Sequence, residues 1–520
     1  MNQIQLRLTL APILGFLILC SVVQEAIAFE RWAPVHRAKD IGKEEIRDEQ
    51  GRIYYIIDLA EGSDEPYEDA IVEGHTRPMA SRHSRKFTNL ITDLAETYKF
   101  EDVSATSWVG LSVSAFLDEE TANKLRQDRR VTMLTEVTTI EVSTTPPPWQ
   151  NSPSSTYDFY PSLSYDVQTW GRTAVNGKTS FVNGTPYDEQ VGYTAYVLDL
   201  GVGEHMDLNV GKRVNTSCTS PTTNGCISGT DPLIFPTVGC WAHATHVAGI
   251  IGARSNNQGV SGINAGMKIV SVSAASTWSY WDGIGITCGA AKDSITSASV
   301  IAALDWIRSD IYRQNRFRPG IVNISMNNPA FLESTIKSKM LALASGRIGG
   351  TYYAGAFIVQ SAGNHNDLVY HSNGNACAVS YNDTSFTDGI MVVGAVGRSG
   401  SPVVTGFYPA TIPQTSSNYG PCVEIWAPGD NVLSTWSDIP LSHPGCHVGH
   451  CQRGGITYTA YQKLGGTSMA APHIAGVAAY LAETLGLTSA PAIEAAVRQY
   501  MYTLGTSDLS GETVYMVQLP

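Results

Sequence analysis

Charge is scarce in this chain of 520 residues: only 16% are Asp, Glu, Lys or Arg. That excludes a coiled coil, whose heptads need charged flanks. Positive charge is the rarer sign, 34 Lys and Arg against 47 Asp and Glu, and the chain offers no excess of basic residues to a nucleic acid. Past residue 28 no apolar run is long enough to cross a bilayer. Cysteine is absent from Phe29 to Ser217. What is present fits a folded protein: 43% apolar residues, 24 Tyr and 10 Trp exclude disorder, and the length allows two or three folding units.

The little charge there is lies unevenly. Of the 122 residues from Phe29 to Gln150, 38 are charged, against 41 of the 370 from Asn151 to Pro520. Two regions with different surface chemistry follow. Residues 1–28 read as a signal peptide: Arg7, an apolar run Leu8 to Val23 broken by Pro12, then Ala26-Ile27-Ala28 as a cleavage signal. The alternative is an uncleaved anchor, for which the run is short. The mature product is expected to be secreted, without a membrane anchor, and monomeric. Eight cysteines, an even number, remain after Cys20 is removed, all in the second region. Export then favours disulfides, Cys218–Cys226 and Cys446–Cys451 being the shortest loops. Cys446-His447-Val448-Gly449-His450-Cys451 could instead bind zinc.

Strand and helix patterns divide at a linker, Ser143 to Pro148. Before it, residues 52–59 predict a strand, Ser84–Tyr98 a helix, Trp108–Leu117 a strand, Asp118–Asp128 a helix and Val131–Val142 a strand, a small βαββ-type α+β domain. After it, Tyr193–Leu200, Met267–Ala274, Gly320–Met326, Gly355–Gln360 and Ile390–Val396 are continuous β-branched runs, as strands buried on both faces are. Helical patterns intervene at Ala242–Ala253, Ile295–Arg313 and Ala330–Ala344. The alternation predicts an α/β fold, a mostly parallel sheet with helices on both faces and its chemistry beyond the strands' C-terminal ends.

Reactive side chains fall at such boundaries. Asp199 ends a strand, where a desolvated carboxylate needs a partner; the bland reading is a buried acceptor. His243 starts an apolar helix with His246 three residues on, a pair that is either structural or metal-ligating. Ser468 lies in Gly465-Gly466-Thr467-Ser468-Met469-Ala470-Ala471-Pro472, which leads into His473–Thr484, a helical stretch apolar or small nearly all round, and is read at that helix's first turn. Its backbone N–H is one of the unpaired donors of a helix start, able to face an oxyanion. An ordinary N-cap serine is the competing reading. Asn364, in Gln360-Ser361-Ala362-Gly363-Asn364, follows a strand and could donate its amide to the same anion. Serine becomes a nucleophile when histidine takes its proton and a carboxylate orients the ring.

Asp, His and Ser in that order, in Tyr196-Val197-Leu198-Asp199-Leu200-Gly201, His243-Ala244-Thr245-His246-Val247-Ala248-Gly249 and Gly466-Thr467-Ser468-Met469-Ala470-Ala471-Pro472, resemble the subtilisin-like serine proteases, the subtilases. Ser361-Ala362-Gly363-Asn364, Ser417-Asn418-Tyr419-Gly420 and Ala427-Pro428-Gly429 extend the resemblance over about Tyr193 to Leu485. It implies an autoprocessing endopeptidase acting on polypeptides, with Ser468 as nucleophile, His243 as base then acid, Asp199 as its orienting partner, and Asn364 with the Ser468 N–H as the oxyanion hole. It implies that Ser325, Met326, Asn327, Ser361, Ala362 and Gly363 line the substrate cleft, that His246 is structural, and that no cofactor enters the chemistry.

The resemblance further implies that residues 29–145, core about 52–142, are a propeptide inhibiting the peptidase domain 146–520 and cut from it by Ser468 within 141–148. An ordinary accessory domain is the alternative. A structural Ca²⁺ would be held by Asp207, Asn256 and the carbonyls of Arg254, Gln258 and Val260, oxygen ligands of the type that ion takes; a plain polar turn is the alternative. Ala244 stands where the family usually has Gly, Leu200 where it has Ser or Thr, and Asn327 where it commonly has Gly. A catalytically dead peptide binder and a serine esterase are the rival functions. An esterase of the other α/β type would place its serine on a Gly-x-Ser-x-Gly elbow in the order Ser, Asp, His, which this chain lacks.

Overall fold

The computed structural model describes residues 32–42, 44–60, 85–100, 104–139, 158–161, 169–178, 193–203, 205–216, 242–256, 259–274, 278–281, 286–289, 295–314, 318–326, 333–348, 351–352, 354–369, 387–404, 406–407, 416–436, 446–447, 450–453 and 456–520. The expected signal peptide, linker, Asn327 and Gln258 lie outside them.

The charged region forms a five-stranded sheet with strands β1 (Val35–His36), β2 (Ile53–Leu59), β3 (Ser104–Thr106), β4 (Ser112–Leu117) and β5 (Val131–Glu136) in the order β1-β5-β2-β4-β3. Helices α1 (Arg85–Tyr98) and α2 (Glu119–Leu125) complete it. Asp118 caps α2, its carboxylate accepting from the Thr121 N–H at 2.7 Å, with Glu119 and Glu120 favourably placed in the first turn. Period-2 alternation along β2 gives each face a different job. Tyr55, Ile57 and Leu59 join Phe87 and Leu94 of α1 in this region's own core, whereas Tyr54 and Ile56 join the core of the rest of the molecule.

The second region is built on a seven-stranded sheet of β7 (Ala195–Asp199), β8 (Asn209–Asn215), β9 (Lys268–Ser273), β12 (Gly320–Ile324), β15 (Ala356–Ser361), β16 (Ile390–Val396) and β17 (Ile425–Pro428). Their order is β17-β16-β15-β12-β7-β9-β8, every pairing parallel. Helices α4 (Ala242–Gly252) and α7 (Thr467–Leu485) pack on each other and on the sheet, as do α5 (Ser297–Gln314) and α6 (Glu333–Ser345); α3 (Trp170–Ala174) and α8 (Ala490–Gln499) complete the helices of this region. The expected α/β architecture is therefore present, and α7 buries all of its first nine residues.

Smaller elements surround the sheet. β6 (Asp158–Pro161), β18 (Val432–Thr435), β19 (Cys446–His447), β20 (His450–Arg453) and β21 (Ile456–Leu464) form a second, antiparallel sheet. Hairpins β10–β11 (Trp278–Trp281, Ile286–Gly289), β13–β14 (Arg347–Ile348, Thr351–Tyr352) and β22–β23 (Met501–Ser507, Thr513–Val517) complete the strands. The register pairs Cys446 with Cys451 and His447 with His450, the adjacency the disulfide alternative requires. Cys422 is disulfide-bonded.

Candidate active site

Three strand ends and two helix starts converge at the C-terminal edge of the parallel sheet. Asp199, fully buried, is the last residue of β7. Its Oδ1 accepts the Leu200 N–H at 2.6 Å and lies 3.0 Å from His243 Nδ1, with Oδ2 at 2.9 Å from the same nitrogen. An ionised carboxylate only accepts, so Nδ1 carries the proton and Nε2 is left as the basic nitrogen. Nε2 takes no hydrogen bond and is buried. The backbone N–H of Leu200 serves the carboxylate whatever the side chain, which is why the departure there leaves the geometry intact.

His243 is the second residue of α4. Ala244 is fully buried in the main core, so the helix carries the extra methyl inside the packed interior. His246 turns away from the site: its Nε2 lies 3.1 Å from the Val432 carbonyl and 2.9 Å from that of Gln462, and burial drives its pKa down to about 3. His473 on α7 behaves alike, bonded through Nδ1 to the Met469 carbonyl at 2.8 Å and held by burial to a pKa of about 4. Both stay neutral and structural.

Ser468 sits in the first turn of α7 behind Gly466, whose φ of 154° and ψ of 159° suit glycine. Its hydroxyl donates to the Ser325 carbonyl at 3.0 Å, and the Ser325 hydroxyl donates to the Ser468 carbonyl at 2.9 Å. No hydrogen bond joins Ser468 Oγ to His243 Nε2 in this arrangement. Asn364, just past β15, accepts through Oδ1 from the Thr467 N–H and the Thr467 hydroxyl, each at 2.8 Å. That fixes its amide nitrogen: a Cβ built on Gly466 would stand 3.2 Å from Asn364 Nδ2 and 3.7 Å from Ser468 N. Asn364 Nδ2 and Ser468 N therefore lie near one another at Gly466, where a side chain would crowd the amide.

Of the expected cleft residues, Ser325 and Met326 follow β12 and are buried, and Ser361, Ala362 and Gly363 lead from β15 to Asn364. Thr467 as the clamp on Asn364 and Ser325 as the partner of Ser468 are not legible in the sequence. Thr467 stands in the serine motif, but nothing local reveals a partner 103 residues away.

Two of the expected calcium ligands, Asp207 and Asn256, do not present a set of oxygens to a cation. Asp207 is fully buried, yet its Oδ1 accepts from Asn256 Nδ2 at 3.0 Å and its Oδ2 from the Tyr461 hydroxyl. Asn256 thus presents amide hydrogens rather than its carbonyl. No group of three or more carboxylate, histidine or cysteine ligands that could hold a metal occurs among the described residues.

A carboxylate bonded to an imidazole, a helix-start serine and an amide near that serine's N–H, on a parallel α/β sheet, are the parts that a serine hydrolase uses. Residues 192–508 match the model of the subtilase family, and the chain belongs to that family. It is 27% identical over 316 residues to the extracellular serine proteinase of Thermus sp. (strain Rt41A), covering 60% of this chain and 56% of that protein. It is 26% identical over 346 residues to the thermostable alkaline protease of Halalkalibacterium halodurans, covering 66% and 70%. Among solved structures, fervidolysin from Fervidobacterium pennivorans, described as a keratinolytic enzyme related to subtilisin, shares the fold at 17% identity, with a TM-score of 0.50 over 94% of this chain and 62% of that one. The chain thus spans little more than half the length of the Thermus relative.

Proposed function

We propose that this chain is a secreted serine endopeptidase that hydrolyses peptide bonds through an acyl-enzyme on Ser468. The observation that carries the reading is the pairing of His243 Nδ1 with Asp199, which leaves a buried, unbonded Nε2 on α4, the helix packed against α7, where Ser468 stands in the first turn. The Ser468 hydroxyl turns from the Ser325 carbonyl to His243 Nε2, gives up its proton and attacks the scissile carbonyl carbon. The oxyanion is met by Asn364 Nδ2 and the Ser468 N–H. His243 returns the proton to the departing amine, then activates the water that releases the acyl group, while Asp199 stabilises the imidazolium. Residue roles follow the family's chemistry, placed on the matching positions of this chain.

The charged region is proposed to be an inhibitory propeptide removed by Ser468. Its support is an interface rather than a tether. Asp305 Oδ1 on α5 accepts the N–H groups of Ser107, Trp108 and Val109 at 3.0, 2.5 and 3.1 Å. Lys339 on α6 reaches Asp58 at 3.0 Å, and Thr135 bonds Thr335 at 3.0 Å. Thr139 pairs antiparallel with Thr296, one residue before α5, as the segment enters the proposed cleavage region. Export is proposed from the leader-like residues 1–28 and from the Thermus relative, whose name calls it extracellular. A monomer suffices, since every proposed catalytic group lies in one chain.

The test is covalent. Parent and Ser468→Ala protein are exposed to a fluorophosphonate and assayed on casein. The reading expects one adduct on Ser468 and casein cleavage in the parent alone. Labelling without casein cleavage but with ester hydrolysis returns the esterase alternative, and neither activity returns the dead binder.

A further inference from the structure

We infer that the Tyr461 hydroxyl takes the place of a cation beside Asp207, so that the loop closing the histidine helix is locked without metal. Asp207 lies between β7 and β8, and its side chain is fully buried. Isolated there, a carboxylate is costly; it is held by a cation or by donors. Here it is held by donors. Asn256 brings an N–H to Oδ1 from within the 254–260 loop, and Tyr461 brings an O–H to Oδ2 from β21, 254 residues away in sequence.

Volume as well as charge excludes a cation beside Asp207. Gly259 has a φ of +64°, and a Cβ added there would fall on the Tyr461 hydroxyl and its ring carbon. The phenol oxygen therefore sits against Gly259 and the Asp207 carboxylate. A calcium ion needs six to eight oxygen lone pairs around it. In this place it would meet the hydrogens of an amide and occupy the volume of a phenol. The ring is held where it is: Tyr461 packs with Ala253, Val260 and Leu433 in a small buried cluster. The His205 ring meets it edge-on at 5.4 Å, while His205 Nδ1 accepts the Asp207 N–H at 3.2 Å. The Arg254 N–H donates to the Asp207 carbonyl at 2.7 Å, tying the loop to the same segment. One tyrosine thus joins the second sheet, the loop after α4 and the Asp207 segment, and α4 carries His243 at its other end.

The experiment uses the full chain carrying Ser468→Ala, so that self-digestion cannot intrude and the outcome is independent of the peptidase reading. Thermal midpoints are measured in excess EDTA and in excess CaCl₂, for that protein and for the further variants Tyr461→Phe and Asp207→Asn. The inference expects equal midpoints in EDTA and calcium for the Tyr461 form, and a midpoint several degrees lower for Tyr461→Phe in EDTA. It is overturned if EDTA lowers the midpoint, calcium restores it, and Asp207→Asn abolishes that difference, for then Asp207 holds the ion. It is also overturned if Tyr461→Phe costs nothing. A calcium effect that persists unchanged in Asp207→Asn places an ion elsewhere and, with a destabilised Tyr461→Phe, supports the lock.

Discussion

Ser468 and Ser325 hold each other: the hydroxyl of each donates to the carbonyl of the other, at 3.0 and 2.9 Å. Asn323 Nδ2 adds a bond to Ser325 Oγ at 2.8 Å. Ser325→Ala strips the buried Ser468 carbonyl and the Asn323 amide of a partner, a change worth about 1–3 kcal/mol. We expect a lower thermal midpoint and a slower acylation step, with KM little changed. Single-turnover kinetics and calorimetry check this, and an unaltered acylation rate would remove Ser325 from the positioning of the nucleophile.

Asn364 has two ends with separate duties. Asn364→Ala loses both the proposed oxyanion donor and the acceptor for Thr467. Loss of one such donor costs about 10²–10³ in kcat, a magnitude established on a subtilisin rather than on this chain. Asn364→Asp keeps the acceptor and replaces the donor. It should retain most of the stability that the alanine variant loses while remaining as poor a catalyst. Comparing kcat and melting for the two variants separates the duties; equal kcat in the asparagine and aspartate forms would refute the donor role.

Asp305 gathers three backbone N–H groups from residues 107–109 into a buried site. Asp305→Ala leaves those donors without their acceptor. If residues 29–145 are an inhibitor, the added fragment should inhibit the Asp305→Ala enzyme with a Ki raised by roughly ten-fold or more, as a loss of about 1.5–3 kcal/mol for hydrogen bonds to a charged group implies. Lys339→Met, which breaks the pair with Asp58, should weaken inhibition less. An unchanged Ki in both would return the accessory-domain alternative.

Stability should fall on the alkaline side. Glu424 and Glu494 share the Arg498 guanidinium, at 2.5 and 2.7 Å, with Asp388 nearby. Burial first, and then for Glu424 the neighbouring Glu494 charge, push Glu424 up to about 8, and burial pushes Glu494 up to about 7. Folded groups that hold protons above the unfolded value of 4.5 contribute stability fully below that pH. That contribution drains away as pH rises through about 7 and 8. Glu424→Gln removes one titrating partner, so its denaturation midpoint should vary less between pH 5 and 9 than the parent's, both measured with Ser468→Ala. A parent midpoint that rises across that interval would contradict the argument.

The sheet is legible in the sequence because its strands are buried on both faces. Ile390–Val396 matches its predicted run at both ends, Asp199 ends a strand and Asn364 follows one, as expected. Ser468, by contrast, lies one residue inside its helix, because Gly466 ends the preceding strand connection. The edge strand Asn209–Asn215 escapes notice, since Gly211, Lys212 and Arg213 break any apolar run where one side has no neighbour. Trp108 is expected in a strand but lies in a turn, since residues 107–109 bend to present three N–H groups to Asp305. Tyr461 carries no signal at all: its partner Asp207 is distant in sequence, and a tyrosine in a β-rich stretch reads only as a strand residue.

Ser468 is proposed to cut peptide bonds, its own chain's first. The intact mass of the refolded chain, taken beside that of Ser468→Ala, tests this. The parent should lose a segment ending within residues 141–148 while the variant keeps its full mass. Cleavage of both, or of neither, would contradict it.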